Sequence, residues 1–189
     1  MMDVQATSLP DVLILTPKLY RDERGFLMET YQQARYQELG IGPFVQENHS
    51  RSEAGTLRGL HYQMKMAQGK LVRVLQGSVY DVAVDLRKGG PTFGQWTAAV
   101  LSAQGREQMW IPPGFAHGFY VLSDGADVEY KLTEFYAPDW QRTMLWNDPD
   151  LAIPWPLVEG RPVLLSERDQ AGTPFRAAEV YTSSTFMKD

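Results

Sequence analysis

Apolar and polar residues alternate through the middle of the chain. In the stretch 79–86, Tyr80, Val82, Val84 and Leu86 fall on one face, and Asp81 and Asp85 on the other. This is the period-two pattern of a half-buried strand. Lys88-Gly89-Gly90-Pro91 then forms a turn. Residues 95–101 read as the next strand and 102–105 as the next turn, and strands over 108–112, 118–122 and 128–133 follow. Strands recurring every 8–12 residues or so predict a sandwich or barrel. Nothing alternates strand with helix as a parallel α/β sheet requires. One helix is predicted over residues 29–39, with Tyr36 and Leu39 three apart and Gly40 at the capping position. A further helical turn falls at Pro138-Asp139-Trp140. The run Val12-Leu13-Ile14-Leu15 stands outside this rhythm. It predicts an edge strand with no obvious hairpin mate, which caps an edge of the same sheet or pairs with a second subunit.

Composition narrows the class. The 189 residues suit a single domain, and 43% hydrophobic with 22% charged residues is an ordinary globular balance. Cysteine is absent, which excludes disulfide scaffolds, Cys-ligated zinc, iron–sulfur clusters and thiol catalysis. The N-terminal apolar run is short and ends at Pro17, so neither a signal peptide nor a membrane span is expected, and the cytoplasm is the default location. A net charge of −5 disfavours the basic field of a nucleic-acid binder but leaves room for a local cationic pocket.

Three histidines are the candidates for proton exchange near neutral pH: His49, His61 and His117. In Arg58-Gly59-Leu60-His61-Tyr62-Gln63, an extended chain turns Gly59, His61 and Gln63 one way and Leu60 and Tyr62 the other. Gly59 lets the backbone bend or approach a ligand closely. Lys70 opens the next apolar strand, so a base and a cation converge from neighbouring strands. His117 follows two prolines and a glycine, which reads as a side chain on a rigid turn. His49 lies in a polar turn and faces solvent. The histidines are single and widely spaced, without an H-x-H or H-E-x-x-H pattern, which weakens a metal site. Glycine-rich phosphate loops and G-x-S-x-G are absent, against a Rossmann, P-loop or α/β-hydrolase enzyme. In Leu165-Ser166-Glu167-Arg168-Asp169, the acid is able to buttress a histidine and the arginine to meet a phosphate, although local chemistry alone reads as a polar turn.

Taken in order, RDERGFLMETY (21–31), the stretch 46–63 ending in RGLHYQ, the stretch 69–96 ending in PTFGQW, IPPGFAHGFYVLS (111–123), VEYKLTEFYAP (128–138), WNDPDLAIPWP (146–156) and LSERD (165–169) resemble the dTDP-4-dehydrorhamnose 3,5-epimerase family, over roughly residues 10–170. The tail 176–189 matches nothing. The resemblance implies a mainly β fold, a cupin-type jelly-roll barrel with a short N-terminal helix, in one domain over 1–189. It implies a homodimer with no metal and no organic cofactor, and the apolar strand at 12–15 predicts that this dimer exchanges its N-terminal strands. The implied substrate is dTDP-4-keto-6-deoxyglucose and the product dTDP-4-keto-rhamnose, on the route to L-rhamnose for surface polysaccharide.

By the same resemblance, His61 looks like the general base, Asp169 the carboxylate paired with it, Lys70 the cation beside the enolate, and Tyr130 the opposing acid. Arg24, Glu29, Gln46, Asn48, Arg58, His117 and Arg168 match positions that contact nucleotide or sugar, with Arg24 reaching over from a partner subunit. Gln141 stands where the family commonly has a glutamate, and is grouped with the nucleotide contacts. The chemistry is consistent, because protons on C3 and C5 flank a C4 ketone and each can leave as an enolate forms. Three alternatives stay open: a relative acting at one carbon or moving the carbonyl, a non-catalytic sugar-binding barrel, and a metal-dependent cupin oxygenase.

Overall fold

The alternation resolves into two facing antiparallel sheets in a computed structural model that describes residues 2–182. One sheet runs in the order β1 (Asp3–Ala6), β2 (Leu13–Thr16), β10 (Gln108–Ile111), β7 (Lys70–Gln76), β12 (Gly125–Leu132), β5 (Gln46–Glu53). The other runs β13 (Gln141–Thr143), β6 (Leu57–Gln63), β11 (Phe115–Val121), β8 (Ser78–Asp85), β9 (Trp96–Ser102). A separate hairpin pairs β3 (Leu19–Asp22) with β4 (Gly25–Met28). The non-sequential order is that of a jelly roll, present as a sandwich of two sheets rather than a closed barrel. Among the described residues no helix is long and apolar enough to cross a membrane.

Three apolar layers hold the sheets. Between them, Val72, Val74, Met109 and Val128 meet Val79, Ala83, Leu101 and Phe119. Outside the smaller sheet, Leu60, Tyr62, Val82, Val84 and Tyr120 pack under Met144, Leu151, Ile153, Trp155 and Tyr181 from the C-terminal third. Outside the larger sheet, Leu15, Leu71 and Trp110 are covered by Tyr36 and Ile41. This covering corrects one expectation. β8 is not a half-buried strand: Tyr80, Val82 and Val84 do share a face, but Asp81 and Asp85 point into the sandwich and are fully buried. Buried carboxylates need partners. Asp85 has Arg87 at 2.7 Å and the Thr92 hydroxyl at 2.6 Å, and Asp81 has His117.

Two N-terminal expectations also change. The run at 12–15 has mates in its own chain: β2 lies between β1 and β10, with Leu15 opposite Val4 on one side and Gln108 on the other. Its backbone is satisfied without a second subunit, and the edges of that sheet are β1 and β5. The helix is shorter than predicted, α1 spanning Gln33–Gln37. The Thr30 carbonyl accepts from the Tyr36 hydroxyl at 3.0 Å and from Gln108 Nε2 at 2.9 Å, which holds the preceding residues out of the helix. Gln32 caps it through Arg35 N, and Gly40 closes it with φ +74° while Ile41 N reaches back to Tyr36 O at 2.9 Å.

Leu101 is fully buried between the sheets and its neighbour Val100 is 55% exposed. Leu101→Ala should therefore cost about 2–5 kcal/mol, and Val100→Ala about 0.5 kcal/mol or less. Urea denaturation of the two variants checks the face assignment, and equal losses would contradict it.

Candidate active site

The site begins with β6. Leu60 and Tyr62 anchor in the outer core, so the alternation of the strand turns His61 and Gln63 to the inner side. Gly59 makes this placement possible. A Cβ there would lie 2.5 Å from Gly118 Cα, and one on Gly118 would lie 2.7 Å from Arg58 O. The close approach is therefore to the backbone of β11 and not to a ligand. The ladder is irregular at this point, and His61 lies directly opposite His117. Lys70, the first residue of β7, donates from Nζ to the His61 carbonyl at 3.3 Å. Tyr130 on β12 sits opposite Asn48 of β5 in the facing sheet.

The second half of the central pair arrives from the C-terminal third. Leu57 N donates to Leu164 O at 3.0 Å, which ties this segment beside β6. The helical turn α2 (Glu167–Gln170) follows, with Ser166 as its N-cap. It aims Asp169 at His61, and Nε2 to Oδ1 is 2.5 Å. A carboxylate only accepts, so Nε2 carries the proton and Nδ1 is the free ring nitrogen. His117 Nε2 is similarly placed, 2.9 and 3.0 Å from the two oxygens of Asp81.

Burial and charge compete at each of these groups. Burial works to raise the Asp169 carboxyl pKa, but the His61 bond, the Ser166 hydroxyl and the Gly59 N–H outweigh it and hold the group below the ordinary carboxylate value. Burial pushes the His117 imidazole below its usual value against the pull of Asp81. It also lowers the Lys70 ammonium to about 8, with Asp81 opposing. The result is an imidazole paired with a carboxylate, beside an ammonium that gives up its proton far more readily than an exposed lysine.

A cleft of about 380 Å³ between the sheets is lined by His61, Lys70, Tyr130, Gln46, Asn48 and Gln141, among others. On the other side of His61, Arg58, Arg168 and Asp169 line a recess of about 640 Å³. Arg168 bridges the two, donating to Gln141 Oε1 at 2.9 Å and to the Tyr136 hydroxyl at 3.4 Å.

Several residues sit otherwise than the sequence suggests. His117 is in mid-strand, not on a turn, and is buried behind the cleft. His49 lies in β5, not in a turn, although it does face solvent, against Asp127. Arg24 and Glu29 are not brought to the cleft: Arg24 pairs with Asp22 on the hairpin, and Glu29 with Arg35. Tyr136 and Asp81 were missed. Tyr136 lines the cleft, and its N–H donates to Gln46 Oε1 at 2.9 Å. The aromatic pair Phe135-Tyr136 before Pro138 was an available signal. Nothing local marks Asp81, since its role depends on a strand 36 residues away. Among the described residues, no three His, Cys, Asp or Glu side chains are grouped to hold a metal ion.

Solved proteins of this architecture and sequence are nucleotide-sugar epimerases, and this chain is an isomerase of that class. A Legionella pneumophila 3,5-epimerase in complex with dTDP-4-keto-L-rhamnose superimposes with a TM-score of 0.93 at 50% identity, covering 96% of this chain and 98% of that one. A 3'-monoepimerase from Streptomyces bikiniensis in complex with dTDP-quinovose gives 0.87 at 30% identity, over 96% and 94%. The chain belongs to the dTDP-4-dehydrorhamnose 3,5-epimerase family, whose model matches residues 6–177. The Pseudomonas aeruginosa dTDP-4-dehydrorhamnose 3,5-epimerase is 52% identical over 182 residues, 95% of this chain and 99% of that relative.

Burying Lys70 has a measurable cost. The ammonium is held to a pKa of about 8 in the fold against 10.5 ordinarily. Between these values the unfolded chain binds more protons, so stability rises with pH across the window. Lys70→Met carries no charge to bury. It should exceed the wild type at pH 7 by on the order of 3 kcal/mol. That gap should close between pH 8 and pH 10.5 in urea denaturation. A gap that does not change with pH would contradict the assignment.

Proposed function

We propose that the protein epimerises dTDP-4-keto-6-deoxy-D-glucose at C3 and C5 to dTDP-4-keto-L-rhamnose, with His61 as base and Tyr130 as acid. The observation that carries this reading is the His61–Asp169 pair at a cleft whose facing sheet contributes Tyr130. The C4 ketone acidifies the protons on both neighbouring carbons. His61 takes one through Nδ1, the nitrogen left free by Asp169, and the carboxylate stabilises the imidazolium that forms. Tyr130, whose phenol hydroxyl is a donor, returns a proton on the other face of the ring. Base on one wall and acid on the other give inversion, where a single base would return the proton to the side it left. Each such transfer contributes roughly 10²–10⁴-fold. Lys70 supplies positive charge where the enolate oxygen develops.

Arg58 and Arg168 offer forked donors to the diphosphate, and Gln46, Asn48 and Gln141 offer polar contacts nearby. This is how an acidic protein takes an anionic substrate. His117, bonded to Asp81, supports the enolate side from behind. The enzyme works as a homodimer in which Arg24 and Glu29 serve the partner's cleft. Supporting this, their hairpin leaves Phe26 63% and Leu27 68% exposed in one chain. The reaction needs no metal, because Lys70 fills the electrophilic role and His61 and His117 each hold a carboxylate of their own.

Incubated with dTDP-4-keto-6-deoxyglucose in D2O, the protein should place deuterium at both C3 and C5, with both centres inverted, by NMR. His61→Ala should abolish exchange while nucleotide still binds. Tyr130→Phe should keep exchange at one or both carbons and lose most inversion. Label at only one carbon at completion would instead identify a monoepimerase, and EDTA-sensitive turnover restored by added metal would defeat the metal-free chemistry.

A further inference from the structure

Asp169 is almost wholly buried, at 3% exposure, and three donors converge on its carboxylate. His61 Nε2 reaches Oδ1 at 2.5 Å and Ser166 Oγ donates to Oδ2 at 2.8 Å. The Gly59 N–H is the third. Ser166 Oγ also accepts from the Asp169 N–H at 3.1 Å, as the N-cap of α2. One hydroxyl thus grips both backbone and side chain of the same residue. A carboxylate is free to swing, because its terminal torsion is broad and roughly two-fold. A second fixed oxygen removes that freedom.

We propose that Ser166 is a positioning residue for the His61–Asp169 pair, its hydroxyl holding Oδ2 so that Oδ1 faces the imidazole. The inference rests on the reading of His61 as the base. Without the hydroxyl, Oδ2 loses the one fixed side-chain donor on its side, and the carboxylate is free to turn away from the imidazole towards the recess that Ser166 and Asp169 line. No neighbouring side chain replaces it. His61 and Gly59 from β6 already occupy their places, Arg168 is turned to Gln141 and Tyr136, and Arg58 donates to Ser52 Oγ at 2.9 Å.

Two substitutions separate positioning from capping. Glycine caps a helix nearly as well as serine but has no hydroxyl, whereas threonine keeps both functions. Ser166→Gly should therefore fold normally, lose about tenfold in kcat, and show the acid limb of its pH–rate profile moved to lower pH, because a displaced carboxylate no longer supports the imidazolium. Ser166→Thr should restore both towards wild type. The experiment measures kcat and the pH profile of these two and of His61→Asn, with thermal melting as the check on folding. Ser166→Gly with wild-type kcat and an unmoved acid limb overturns the proposal, as does equal impairment of the glycine and threonine variants. If His61→Asn is inactive while Ser166→Gly is normal, only the role of Ser166 fails. If His61→Asn still turns over, the reading of His61 fails and takes this inference with it.

Discussion

The contact between Gly59 and Gly118 governs the cleft. No side chain fits between these backbones, so β6 and β11 close to a distance that ordinary residues would prevent. Three consequences share that point. His61 and His117 come face to face across the ladder, the His61 carbonyl is within reach of Lys70, and the Gly59 N–H turns to Asp169. A Cβ at either glycine would push apart groups placed to tenths of an ångström, and hydrogen-bonded pairs of this kind tolerate little displacement.

Around that contact the protein buries charge inside an otherwise apolar sandwich. Asp81, Asp169, Lys70 and His117 are all withdrawn from water, and each is tolerated only because another of the set or a neighbour bonds to it. The arrangement is not a stabilising one. A lysine held near pH 8 is a standing cost to the fold, because its ammonium is withdrawn from water. The net charge of −5 makes the local concentration of cations more telling.

The C-terminal third completes both the fold and the site. It roofs the outer face of the smaller sheet, with the Tyr181 hydroxyl on Gln63 O at 2.5 Å and the Tyr62 hydroxyl on Glu179 O at 2.7 Å. The same segment delivers Asp169 to a histidine 108 residues earlier in the chain. Residues 183–189, the end of the unmatched tail, lie outside the described residues. The roof and the Asp169 carboxylate are therefore one structural unit: loosening the packing of Trp155 or Tyr181 disturbs the support on which the His61 pair depends.

Sequence by itself settled whatever depends on neighbours along the chain. The strand rhythm, the turn at 88–91, the helical turn at Pro138–Trp140, the Gly40 cap and the shared face of His61 and Gln63 all follow from side-chain period and backbone preference. So did the absence of cysteine chemistry and of phosphate loops. The motifs RGLHYQ and LSERD, read as a resemblance, marked His61 and Asp169 as partners. Tertiary structure decided what depends on contacts distant in sequence. Asp81 looked solvent-facing because nothing near it showed that residues 144–181 would cover its sheet. The apolar run at 12–15 looked mateless because β10 lies nearly a hundred residues away. The helix looked longer because its start is overridden by Gln108 bonding to Thr30 O. Local periodicity reports which way a side chain points, but only the assembled sheets determine what lies there to meet it.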